Sequence, residues 1–152
     1  MISREQRETI KEIIRNFFDK ATIEVEIKEE TVDEDTFRIN LETESPQLLI
    51  GEGGQTLSEI QHLLRLICRK KIGPGFYLDI DVSNYKKKKA VYLEELAKTA
   101  ADEVALTKKD RELLPMSSQD RRIIHLVLSQ RADVIAESKG EDPDRRVIIR
   151  PA

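Results

Sequence analysis

Apolar residues recur at three- and four-residue spacing through Ile10, Ile13, Ile14, Phe17 and Phe18, the period of one buried helix face. Ser3 stands where it can cap the first turn, so residues 4–20 are predicted to form an amphipathic helix. The period then shortens to two: residues 22–28 and 36–42 alternate apolar with polar and predict a pair of half-buried strands, separated by the acidic connector Glu29 to Asp35. Ser45-Pro46 supplies an N-cap and an N1 proline for a short helix ending at Gly51. Helical spacing returns over residues 55–71, with Leu57, Ile60, Leu64 and Ile67 on one stripe, until Gly73-Pro74-Gly75 breaks it and residues 76–82 read as a third strand.

The second half follows a similar grammar. Lys86-Lys87-Lys88-Lys89 opens a helix whose apolar stripe is Leu93, Leu96, Ala100 and Val104, ending near Thr107 to Asp110. Four cations at a helix start oppose its dipole; they form either a solvated face or a surface for a phosphate backbone. Leu113-Leu114-Pro115-Met116 reads as a linker, after which Ser117 or Ser118 can cap another helix. At about 100° per residue, Ile123, Ile124, Leu126, Val127 and Leu128 fall on one arc of that helix, while Ser118, Arg121, Arg122 and His125 share the other, polar arc. Residues 132–138 and 145–150 read as two strands around the turn 139–143, with Arg145, Arg146 and Arg150 projecting from the last.

Composition narrows the class. The chain has 152 residues, 39% hydrophobic and 36% charged, enough for one modest core or two small ones and too apolar for disorder. It contains no apolar run near the roughly 18 residues of a membrane span, and its first residues lack the apolar stretch of a secretory signal, so a cytoplasmic location without membrane insertion is expected. Cys68 is the sole cysteine, which rules out an intramolecular disulfide or a thiolate zinc cluster, and its apolar neighbours predict a buried thiol. Residues 1–82 carry 11 Lys+Arg against 17 Asp+Glu, whereas residues 83–152 carry 15 against 12, so the second half is the expected anion binder. The acidic overall balance, −3, argues against indiscriminate duplex binding. Aromatics make up only 5%, leaving few platforms on which bases could stack, and His62 reads as a surface residue.

Gly51-Glu52-Gly53-Gly54 carries the clearest chemistry. Its glycines let backbone amides approach a ligand closely, and the turn opens onto the positive end of the following helix, a combination suited to a phosphodiester. With its flanking elements, the order from residue 4 to 82 is helix, strand, strand, helix, G-x-x-G, helix, strand, which resembles a prokaryotic-type (type II) KH domain. The resemblance implies an α+β fold that clamps single-stranded nucleotides at the loop, with Gly51, Glu52, Gly53 and Gly54 against the phosphates and Ile50 and Leu57 walling an apolar groove. Glu52 departs from the pattern by placing a negative charge where phosphate would sit, which weakens binding by this module or redirects it.

Arg121-x-x-x-His125, preceded by Pro115-Met116-Ser117 and followed by Ser138-x-Gly140 and Arg145-Arg146-Val147, is similar to the R-three-H domain, a small single-stranded nucleic-acid module. A KH domain at residues 1–82 followed by an R-three-H domain at 83–152 resembles the bacterial Jag family of SpoIIIJ-associated RNA-binding proteins. Many members carry a further N-terminal domain and linker that this sequence lacks, so the functions tied to that part are not expected here. The resemblance implies a non-catalytic regulator acting after transcription on single-stranded RNA, with single-stranded DNA as a further ligand class. In the competing reading, the acidic half and its altered loop form a scaffold docking another small KH protein. The expected contacts are the glycine loop, Lys86 to Lys89, Ser118, Arg121, Arg122, His125, Arg145 and Arg146. An enzyme is not expected: the glycine turn lacks the lysine and hydroxyl of a P-loop, and no metal-ligand spacing or activated nucleophile is evident, so no cofactor is expected either.

Overall fold

The computed structural model describes residues 2–31 and 34–152. The chain divides into two compact units, Met1–Lys86 and Lys87–Ala152.

The first unit begins with α1, Arg4–Lys20, closed at its start by a capping box in which Ser3 and Gln6 exchange hydrogen bonds. Its buried face is Ile10, Ile13, Ile14 and Phe18. Strands β1 (Glu26–Thr31), β2 (Thr36–Glu42) and β3 (Tyr77–Val82) form a sheet in that order, β1 antiparallel to β2 and β2 parallel to β3. A parallel pair needs a long crossover. Here it is made by α2 (Pro46–Ile50), one 3₁₀ turn over Glu52–Gly54, and α3 (Gln55–Ile72).

Four local expectations are corrected. The first strand starts at Glu26 rather than residue 22, because the amides of Ala21, Thr22 and Ile23 are committed to the end of α1, on Phe17, Asp19 and Phe18 carbonyls. The supposed connector from Glu29 to Thr31 pairs instead with Ile39, Arg38 and Phe37. Ser45 precedes Pro46 as expected but makes no side-chain cap. On α3 the buried face is Leu57, Gln61, Leu64 and Cys68, so Ile67 lies at its edge, 37% exposed. Cys68 is fully buried, and that burial pushes its thiol pKa up to about 11.

Strand β3 is one of the two edges of its sheet, where unpaired backbone groups invite another strand. Side chains close that edge. The Leu78 carbonyl accepts from Arg65 Nε at 2.6 Å, the Ile80 amide donates to Gln61 Oε1 at 2.8 Å, and the Val82 amide donates to Asp81 Oδ1 at 2.8 Å.

The second unit packs α4 (Tyr85–Thr107, from Lys87 onward) and α5 (Ser118–Leu128) with an antiparallel sheet of order β4 (Arg111–Glu112), β6 (Arg146–Pro151), β5 (Val134–Lys139). Alanines Ala97, Ala100 and Ala101 let α4 approach closely, and the core is completed by Leu93, Val104, Ile124, Leu128, Val147 and Ile149 among others. The stretch expected to be a simple linker follows β6 instead: after β4, the amides of Leu113 and Met116 donate to the carbonyls of Val147 and Arg145. Two charged residues with no alternation give β4 no sequence signature.

No helix among the described residues is long and apolar enough to cross a membrane. No group of three or more His, Cys, Asp or Glu among them is placed to hold a metal ion.

Candidate nucleic-acid interface

The glycine loop is built on left-handed backbone at Gly51 (φ 72°), Gly53 (φ 61°) and Gly54 (φ 84°). Two of these glycines are obligatory for packing as well as for conformation. A Cβ on Gly51 would collide with Thr56 Oγ1, and one on Gly54 would lie 2.9 Å from Cε1 of Tyr85. At Gly53 the same atom would point into open space. The loop therefore presents Gly53 and exposed Glu52 outward, directly ahead of the α3 N-terminus. Ile50 and Leu57, expected as groove walls, are 5% and 2% exposed and belong to the core of the first unit. Helical and turn geometry points both inward, and the exposed apolar residue beside them is Leu48.

The lysine run does not act as a block. Lys86 Nζ donates to Asp79 Oδ1 at 2.7 Å and Gln61 Oε1 at 2.8 Å, inside the first unit. Asp79 also receives Arg38 Nε at 2.7 Å; burial pushes its carboxyl pKa up, but the Lys86 and Arg38 contacts outweigh that and hold it below the usual carboxylate range. Asp81 accepts the Lys86 amide, so Asp79 and Asp81 of β3 both hold Lys86. In the second unit Lys89 pairs with Asp120 at 2.8 Å, and Lys87 and Lys88 are exposed. Lys86, expected at phosphate, is thus engaged by Asp79 and Gln61.

On α5 the buried face is Arg121, Ile124 and Leu128, whereas Leu126 is exposed. Arg121 was expected on an open polar face but is only 7% exposed. Its Nη1 donates to the Met116 carbonyl at 2.7 Å and lies 3.6 Å from Asp142 Oδ1, so the buried guanidinium is partnered and ties α5 to the chain entering it and to the β5–β6 turn. His125, half-buried, shares a 2.8 Å hydrogen bond between Nε2 and Ser138 Oγ on β5. The Arg-x-x-x-His pair is therefore a brace between helix and hairpin.

Beside the brace Arg122 and Ser118 are exposed, and half-buried Arg145 donates from Nη1 to the Gly140 carbonyl at 3.1 Å. Arg146 does not join them. Strand alternation puts it on the face of Ile148 and Arg150, away from the side on which Val147 and Ile149 meet α5. There Arg146 and Arg150 reach Glu112 and Glu137 at 3.8 and 3.2 Å.

Residues 7–80 match the profile described as the KhpA/KhpB KH domain, and residues 91–151 match that of the R-three-H domain. Aligned over 154 positions, the RNA-binding protein KhpB of Clostridium symbiosum is 34% identical, covering 98% of this chain and 69% of the relative. The chain belongs to the KhpB family. RNA-binding protein KhpB of Bacillus subtilis (strain 168) is 37% identical over 75% of the chain and 56% of its own length, and that of Lactiplantibacillus plantarum is 33% identical over 73% and 34%. The chain thus spans from about two thirds to about a third of these relatives.

The KH unit also has features that a motif reading passes over. Tyr77 is 46% exposed at the start of β3, with the Arg65 guanidinium 4.1 Å from its ring centroid. The signal for it is a tyrosine at the first, solvent-facing position of a strand whose inward positions, Leu78, Ile80 and Val82, are apolar.

Proposed function

We propose that this chain is a non-catalytic binder of single-stranded RNA acting after transcription; RNA binding is what the names of its relatives say of them. The carrying observation is the Gly53 turn at the N-terminus of α3: a Cβ there would meet open space, so a phosphate can come close to the chain, and the helix dipole favours an anion. In the R-three-H unit, Arg122, Ser118 and Arg145 offer guanidinium and hydroxyl donors for phosphate or base edges, held in place by the Arg121 and His125 brace. Single-stranded rather than duplex RNA fits contacts this local and a chain whose net charge is −3.

The test is fluorescence anisotropy of a labelled single-stranded RNA with the full chain. Gly53→Asp adds a carboxylate in open space, at a left-handed backbone that favours glycine but that aspartate adopts more readily than most side chains, and Arg122→Ala with Arg145→Ala removes two arginines of the second unit. Each is expected to weaken binding with the fold intact by circular dichroism. Full affinity in both variants would reject the RNA assignment for these surfaces. A second reading rests on exposed Glu52: a loop carrying that charge suits a protein partner, such as another small KH protein. Loss of such a partner from Gly53→Asp with RNA affinity unchanged would favour it. A matched single-stranded DNA decides whether the 2′-hydroxyl is read.

A further inference from the structure

Helix α3 carries a polar row that starts one turn after the glycine loop: Ser58, His62, Arg65 and Arg69, all exposed but half-buried Arg65, spaced at four, three and four residues and so aligned on one side of the helix. At 1.5 Å per residue the row is about 16 Å long. Arg65 is anchored to the neighbouring edge strand by its bond to the Leu78 carbonyl, so the row borders β3. Where it meets β3, the Arg65 guanidinium is stacked on the Tyr77 ring, and nearly half of Tyr77 remains exposed. Arg65 Nη2 is buried with no oxygen partner, which the covering ring face explains. The tyrosine is thus held by a cation on one side and presented to solvent on the other. Phe18 and Phe37 of this unit are buried in the core, and Phe17, Phe76 and Tyr85 are partly buried against it.

We propose that Tyr77 is a base-stacking platform, and that a single strand of RNA leaving the glycine loop runs along the Ser58, His62 and Arg69 row to reach it. This rests on RNA binding by the KH unit and extends it from the loop to a defined track. Every base has a π-face, so a tyrosine fixed in advance by Arg65 adds affinity without demanding a sequence, and little side-chain freedom is lost when a base arrives. Arg69, beyond Tyr77 on the helix, supplies a cation for the phosphate past the stacked base, and His62, nearer the loop, supplies a ring nitrogen or a second stacking face. The track also accounts for retention of RNA by a loop that carries Glu52: the phosphate site need not hold the strand alone.

The experiment uses the full chain and short labelled single-stranded RNA. Tyr77→Leu, which keeps apolar bulk and removes the ring, is expected to raise Kd about fivefold or more, the low end of what one stacked base contributes. Tyr77→Phe keeps the ring and is expected to bind as the parent does. Arg69→Ala should lower affinity and reduce the salt slope by roughly one phosphate's share. Wild-type chain is also irradiated with 4-thiouridine RNA, which needs no variant to fold, and the peptide containing Tyr77 is expected among the cross-linked products. Parent-like affinity of Tyr77→Leu, or cross-links confined to other peptides, would overturn the proposal while leaving loop binding standing if Gly53→Asp still weakens it. Absence of RNA binding by the parent chain would overturn both.

Discussion

Replacing Gln61 with leucine tests how the KH unit tolerates its parallel edge strand. Gln61 is nearly buried, and its Oε1 accepts both the Ile80 amide and Lys86 Nζ at 2.8 Å. Leucine has similar bulk but no acceptor. Lys86 keeps Asp79 at 2.7 Å, so its charge stays paired, while the Ile80 amide is left buried and unpartnered. Such an orphan costs about 1–3 kcal/mol. Taking about 2 kcal/mol, an 86-residue unit should melt roughly 8–16 °C lower, at about 4–8 °C per kcal/mol for domains of this size. Hydrogen exchange on the full chain locates the effect: amides of residues 77–82 should lose protection by about 30-fold, the factor matching 2 kcal/mol, while residues 111–151 should change little. Gln61→Glu keeps an oxygen for both donors and should lose less. Unchanged protection of β3 in Gln61→Leu would refute the argument that side chains replace the missing neighbour strand.

Glu52→Lys should increase affinity for single-stranded RNA and steepen its salt dependence by up to about one counterion, read by anisotropy at several salt concentrations; no change would mean the loop does not meet phosphate. Arg121→Ala should destabilise the R-three-H unit by about 1–3 kcal/mol, since it leaves the Met116 carbonyl without its donor and opens space beside Ile124, so chemical denaturation rather than RNA affinity is where its effect should be largest. Cys68, with its thiol raised to about 11 and fully buried, should react with a thiol reagent at pH 8 only as fast as the KH unit opens; rapid labelling of the native chain would contradict its place in the core. The Asp79 carboxyl is held lower in the folded chain than in the unfolded one, so its stabilising contribution is complete above the unfolded value of about 3.9 and disappears as pH falls through the folded value. Asp79→Asn should therefore reduce stability at neutral pH and flatten its loss on acidification in a series of melts.

The order of elements was legible because the period of apolar residues changes wherever the structure changes, and α1, α3 and β2 lie within a residue or so of their expected bounds. The short strand β4 was not, since two charged residues have no period to read. The glycine loop is legible as a conformation, but the burial of Ile50 and Leu57 in the core beside it is not, because sequence cannot say on which side of a turn an apolar residue finds its partners. The α5 wheel failed for a chemical reason. It counted Arg121 as polar and hence outward, whereas a long side chain can be buried when its guanidinium finds a carbonyl, and Met116 provides one. Arg146 clusters with Arg145 in sequence and is separated from it in space by strand alternation alone. Tyr77 acquires its setting from Arg65, twelve residues earlier on a different element, a pairing that only the packed structure discloses.

The central claim is recognition of single-stranded RNA through local phosphate contacts. A salt titration of the full chain against single-stranded RNA, matched DNA and the RNA duplex tests it most directly. The account predicts binding to the single strand that exceeds binding to the duplex, with log K falling against log salt at a slope of roughly −2 to −3, as three or four neutralised phosphates at about −0.7 each require. A stronger grip on the duplex, or no saturable binding to the single strand at low salt, would contradict it.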